Sequence, residues 1–493
     1  MTPSNIPSPI SLSYIAALRG VAPRQPGAGF TYAVVNCTKP WLLMCLAASN
    51  PEGRFYGLVT DSTACAQAVA EAQQCHVENV VFLCAAAEDA LNGKISLPSL
   101  NYLYADETVR SISSNERSAL FDLAKKFLLP GGLFHYSYRA YENAHGALRF
   151  LVREFAPEMT ADQSKVFLRE LKTLGASYFA DNAAALLCLD DAATKDMPDM
   201  FFSDYDEGAA SSGSFDTLIA LRPHGFMYVG DSHMAANYMD LSVSPEAQKI
   251  ITSCRENYLY EPIKDFALNR VVRSDIWCRG PVSQTDSLPA LFGSFAYGII
   301  APRENVPIEI KAPGKTIDLS APVFTKLVDL MTLMPINIGD FLSHPVGKEF
   351  LPSDVVGAVQ ILVACGIAQP MRGLYQSDAN NVAQPRFAGL LNQRLGRAPV
   401  SAGEIWMASP TLGNVMSIPA REALVMQALD RAGLANSVSV LLPELQRLAK
   451  NPGEASRIMD AANPTSDTAH HMIEDTVSRS IVQWYAYGLL EAA

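Results

Sequence analysis

No apolar stretch in this sequence is long enough to span a bilayer. The longest, 41–48 and 357–368, fall short of the roughly 20 residues that a membrane helix needs. The opening MTPSNIPSPISLSYIAALRG lacks the charged start and apolar core of a secretory leader. Both absences point to a cytoplasmic protein without a membrane partner. Dense runs of Lys or Arg are missing too, and the net charge is -12. A surface that tracks the phosphates of DNA or RNA is therefore not expected. The nine cysteines are scattered and odd in number, with no Cys-x-x-Cys pair. That disfavours a zinc site or a disulfide framework, and the thiols read as small apolar residues in a reducing compartment. Among the eight histidines, no two lie four apart with an acid between them. The acids Asp190, Asp191, Asp196, Asp199, Asp204 and Asp206 lack the glycine-punctuated order of a calcium loop. No metal is implied.

What the chain does have is length and alternation. At 493 residues it exceeds one compact domain, and two or three are expected. Strand signals at 31–36, 54–60, 79–84, 100–105 and 131–138 alternate with helix signals at 40–49, 62–74, 115–128 and 141–156. Pro130-Gly131-Gly132 reads as the turn into the fifth strand, and Ser113 with Glu116 as a capping box. Residues 10–20 look like an amphipathic helix closing onto the first strand. This alternation predicts an α/β fold, a parallel Rossmann-like sheet with helices on both faces, over 1–156. Region 157–290 reads as mostly helical, with a Gly/Ser-rich acidic loop at 203–215 and a returning strand near 225–231. Region 291–493 reads as a hairpin at 291–318 followed by helices. Within it, 421–450 resembles the helix pair of a winged-helix module.

A doubly wound sheet places its ligand at the first strand-to-helix turn, where glycines let the backbone approach a nucleotide. Here that turn is Asn36-Cys37-Thr38-Lys39-Pro40, without a glycine. Pro40 suits the first helical turn, where its missing N–H costs nothing.

Four segments carry a family resemblance. They are SYIAALRGVAP, ending at Gly20 and Pro23; VVNCTKPWLLMCLAASNPEGRFYGLV; VENVVFLCAA (77–86); and LLPGGLFHYSYR. On these the chain resembles bacterial class I S-adenosylmethionine-dependent methyltransferases with a methyltransferase regulatory domain, a family that includes protein-lysine methyltransferases. The resemblance covers most of the chain and implies S-adenosyl-L-methionine as cofactor. The residues that would hold it depart from the family pattern. Three loop glycines fall on Asn36, Thr38 and Pro40, and the acid ending the first strand falls on Val34. The ribose-binding carboxylate falls on Val59, and the acid near the adenine on Ala86. The fourth-strand motif meets DETVRS (106–111) with none of its His, Gly, Tyr or Trp in place. If such a site survives, its cofactor-binding residues would be Asn36, Thr38, Asp61 and Glu88, the two acids lying two positions beyond the expected ones. No catalytic residue is assignable. Losses on one ligand surface over a preserved scaffold imply an inactive homologue that acts by binding a protein, either an active methyltransferase relative or its substrate, with homo- or hetero-oligomers open. The alternative is an active protein-lysine methyltransferase with a remodelled site. A different nucleotide or small metabolite in the altered pocket is a third reading.

Two further groups stand out. Gly230-Asp231-Ser232-His233 resembles the nucleophile block of GDS-type esterases, but Asp340 and His344 have the wrong spacing for the partner motif. His135, Tyr136, Tyr138 and Arg139 lie where the fifth strand meets the ligand rim. Alternate side chains there must face opposite sides.

Overall fold

The computed structural model describes residues 6–24, 27–106, 114–140, 147–148, 151–152, 158–174, 176–182, 185–186, 213–254, 259–270, 272–313, 315–373, 384–398, 400, 404–450 and 464–492. Most of the expected helix 141–156, the Ser113 cap and most of the acidic loop 203–215 lie outside these residues.

A seven-stranded sheet organises the first half of the chain. Its strands are β1 (Phe30–Val35), β2 (Gly53–Val59), β3 (Val80–Cys84), β4 (Leu100–Asp106), β5 (Leu128–Arg139), β6 (Phe226–Asp231) and β7 (Val272–Arg279). Their order is β3-β2-β1-β4-β5-β7-β6. The first five are parallel, and β7 runs antiparallel between β5 and β6. Helices α2 (Pro40–Ser49), α3 (Ser62–Gln74), α4 (Ala87–Leu91) and α5 (Ser114–Phe127) connect the parallel strands. The result is a mostly parallel, Rossmann-like sheet flanked by helices.

Strand alternation sorts the core into two layers. Tyr32, Val34, Phe55, Val59, Tyr102 and Tyr104 face α2 and α3. Ala33, Val35, Leu58, Leu103, Ala105 and Tyr136 face α4 and α5. Pro130-Gly131-Gly132 does not precede β5 but lies inside it. Gly131 has φ 80°, and the β4–β5 register shifts between Leu100 and Tyr102. The extra length is absorbed as an irregularity that leaves the strand continuous.

The N-terminal helix, α1 (Pro9–Ala17), is buried on nearly every side rather than amphipathic. Leu12, Ile15 and Ala16 pack on the sheet core, while Tyr14 and Ala17 pack into the core of the C-terminal half. Tyr14 meets the rings of Phe292, Phe295 and Tyr297 edge-on at 5.5–6.2 Å. A helix sandwiched between two cores is apolar all round, which removes the usual stripe.

The C-terminal region is helical with short strand pairs. The hairpin in 291–318 is confined to Glu309–Ala312 and Lys315–Asp318, whereas Ala296–Gly298 pairs with Ile336–Asn337 and Gln369–Met371. Residues Ala420–Ala449 form two helices that join at Gly433, with φ 68° and ψ 175°. A glycine there takes the positive φ of the kink without a Cβ penalty. The hairpin Glu404–Ser409/Asn414–Pro419 docks on α2, where Ser49 and Asn50 donate to the carbonyls of Asn414 (3.0 Å) and Gly413 (2.9 Å).

Candidate functional site

The carboxyl ends of the parallel strands form the rim where this fold places ligands. At the end of β1, Asn36 adopts a left-handed φ of 54°, which asparagine tolerates better than most residues. The turn is tied down by Cys37 N–H donating to Leu58 O at 2.8 Å. Cys37 is buried and Thr38 exposed. Pro40 sits in the first turn of α2, as its chemistry favours.

Asp61 lies two residues beyond the end of β2, at the start of α3. It is exposed and caps α3, its Oδ1 accepting from Ala64 N–H at 2.7 Å. Val59, at the expected position, is buried in the core. Asp61→Ala should cost about 1 kcal/mol in chemical denaturation, the ordinary value of an N-cap. Glu88 is half-buried in the first turn of α4. Its neighbour Asp89 turns back to accept from Ala86 N–H at 2.9 Å and pairs with Lys94 at 2.8 Å. The rim thus brings Asn36 and Thr38 to one turn, and leaves the two acids at separate helix starts. The buried Val59 side chain offers a ribose hydroxyl no acceptor at that position. A cavity of about 840 Å³ opens at the other end of the sheet, among Ala48, Arg54, His76, Asn79, Leu391 and Gly488. It lies at the amino ends of β2 and β3, away from the rim.

The charge-rich part of the molecule lies at the β6–β7 edge. Arg273 is fully buried and donates to Asp275 (2.8 Å), Asp265 (2.5 Å), Glu261 (3.1 Å) and the Tyr228 hydroxyl (3.0 Å). Lys264, also buried, bonds Glu261 at 2.7 Å and the Ala236 carbonyl at 2.9 Å. Asp231 pairs with Arg270 and with His233, the latter at 3.1 Å. Tyr138 on β5 donates to Asp275 at 2.6 Å. Burial opposes ionisation of Glu261, but Lys264 and Arg273 outweigh it and hold the carboxyl down at about 2. Burial wins at Asp265, which is pushed up to about 7 despite Arg273. The esterase-like tetrad is accounted for here: Asp231 is a structural acid ending β6, its backbone pinned by Asn237.

On β5, His135 and Tyr136 face opposite layers, as alternation required. His135 is buried beside Tyr104, and desolvation drops its imidazole to about 3, so it stays neutral. Tyr138 belongs to the charge cluster, and the side chain of Arg139 lies outside the described residues. The sequence reading missed Arg273, Asp275, Asp265 and Glu261. The available signal was an Arg-x-Asp pair inside the apolar run VVRSDIWC.

Residues 213–279 match the family model described as "Predicted methyltransferase regulatory domain". That span holds β6, β7 and the three acids that bond Arg273, namely Glu261, Asp265 and Asp275. Two solved structures of PKMT2 from Rickettsia typhi are similar over nearly the whole chain. The one in complex with AdoHcy has a TM-score of 0.63 at 14% identity, covering 98% of this chain and 98% of that one. The other has a TM-score of 0.60 at 15% identity, covering 97% and 98%. The chain has a Rossmann-like methyltransferase fold, and its residues 213–279 match the regulatory-domain model. An uncharacterised Synechocystis protein is 19% identical over 436 residues, 86% of this chain and 85% of its own length. No helix among the described residues of this methyltransferase-like chain is long and apolar enough to cross a membrane.

Proposed function

We propose that this chain is a catalytically inactive methyltransferase homologue that works by binding a protein, either an active methyltransferase relative or that enzyme's substrate. The observation that carries the reading is the end of β2, where Val59 is buried and the nearby Asp61 is committed to the α3 cap. A missing charged acceptor costs about 1.5–3 kcal/mol. Two such losses weaken binding by several decades, since each 1.4 kcal/mol is tenfold. Calorimetric titration with S-adenosylmethionine and S-adenosylhomocysteine is expected to show no binding at millimolar ligand. Micromolar binding, or methyl transfer to any protein by the purified chain, would overturn the proposal.

The second reading, an active protein-lysine methyltransferase with a remodelled site, draws on two observations. Asn36 keeps the left-handed turn that glycine would otherwise supply, and PKMT2, similar along its full length, is described in complex with AdoHcy. With Asp61 as the remodelled acid, this reading predicts that Asp61→Ala abolishes cofactor affinity; unchanged affinity in that variant would rule out that remodelling.

A further inference from the structure

Three thiols gather at the carboxyl rim, although no sequence spacing pairs them. Cys37 lies in the turn after β1, Cys65 in the first turn of α3, and Cys84 at the end of β3. Strand alternation fixes where Cys84 points. Val80 and Phe82 face the layer that holds Cys65, Ala68 and Ala72 of α3, and Cys84 continues the same side. Cys84 pairs with Val59 across the sheet, three residues before α3 begins. Burial raises the Cys65 thiol above its ordinary value, and the Cys84 thiol is near enough to add to that rise. Cys84 is exposed, whereas Cys65 is buried.

We propose that Cys65 and Cys84 form a reversible modification site, a dithiol that closes to a disulfide by exchange with a small-molecule disulfide such as oxidised glutathione. Exposure makes Cys84 the point of entry. Its thiolate attacks one glutathione sulfur, forming a mixed disulfide and expelling one glutathione thiolate. The thiolate of Cys65 then attacks the Cys84 sulfur and expels the second. The protein loses two thiol protons and two electrons, and oxidised glutathione takes both, becoming two reduced glutathiones. The bridge joins the first turn of α3 to the end of β3. It thereby closes the side of the rim that Asp61 and Glu88 flank. The site is independent of whether a cofactor binds there.

The test is to equilibrate the full chain with oxidised glutathione, block remaining thiols with an alkylating agent, and map the products by mass spectrometry. The expected result is a loss of two alkylatable thiols, with the peptides of Cys65 and Cys84 linked. Cys84→Ser, an exposed change that leaves the fold intact, should lose the link and keep Cys65 alkylatable. Cys65→Ser should stop at one glutathione on Cys84. Retention of both thiols, a stable glutathione adduct on Cys84 of the wild type, or a link from Cys65 to Cys37 would each overturn the proposal.

Discussion

Replacing Arg273 by methionine is expected to destabilise the sheet by about 3–5 kcal/mol, the cost of leaving buried carboxylates without their cation. Arg273 is 0% exposed and is bonded to Asp265, Asp275 and Glu261 at once. Methionine fills similar volume, so the loss reads charge compensation rather than a cavity. The damage spreads to β5, because Asp275 also accepts from Tyr138, whose ring stacks on Tyr136 at 4.9 Å. Arg303→Met is the matched control. Its partner Asp329 and Arg303 itself are about half exposed, and surface pairs contribute about 0–1 kcal/mol. Urea unfolding of both variants checks the contrast. Equal, small losses would show that the three carboxylates do not depend on Arg273.

The parallel half of the sheet was legible because each strand and helix there obeys its own period. Predicted ranges such as 54–60 and 62–74 match Gly53–Val59 and Ser62–Gln74 closely. β7 was not legible. Its Arg273 and Asp275 look like surface residues in a strand, and only pairing with groups from a separate helix, Tyr260–Ala267, makes their burial tolerable. Burial of charge is a tertiary property that no window of sequence displays. The fate of Asp61 was closer to hand. An aspartate directly before Ser-Thr-Ala and a helical pattern is an N-cap by local chemistry. The split of His135 and Tyr136 to opposite layers followed from alternation alone. The meeting of Cys65 with Cys84 required the β2–β3 pairing, which links positions with no shared motif.

The largest expected pH effect also belongs to this cluster. Burial lifts the Asp265 carboxyl to about 7; Arg273 pulls it down, while Glu261 and Asp275 add to the rise and Ser214 opposes it. In an unfolded chain an aspartate titrates near 3.9. Between those values the folded protein holds a proton that the unfolded chain has released, so stability falls as pH rises and levels off above about 7. The slope for one such proton approaches about 1.4 kcal/mol per pH unit. Glu261 acts in the opposite sense and in a lower window, its contribution being lost as pH falls from the ordinary glutamate range toward 2. Working above pH 5 keeps the two apart. Asp265→Asn keeps the shape and removes its titration, leaving the raised Asp275 as the acid that still shares Arg273. Urea melts from pH 5 to 7 should show the wild type losing about 2 kcal/mol more than the variant. Parallel profiles would mean that Asp265 is ionised throughout, with Arg273 rather than desolvation setting its state.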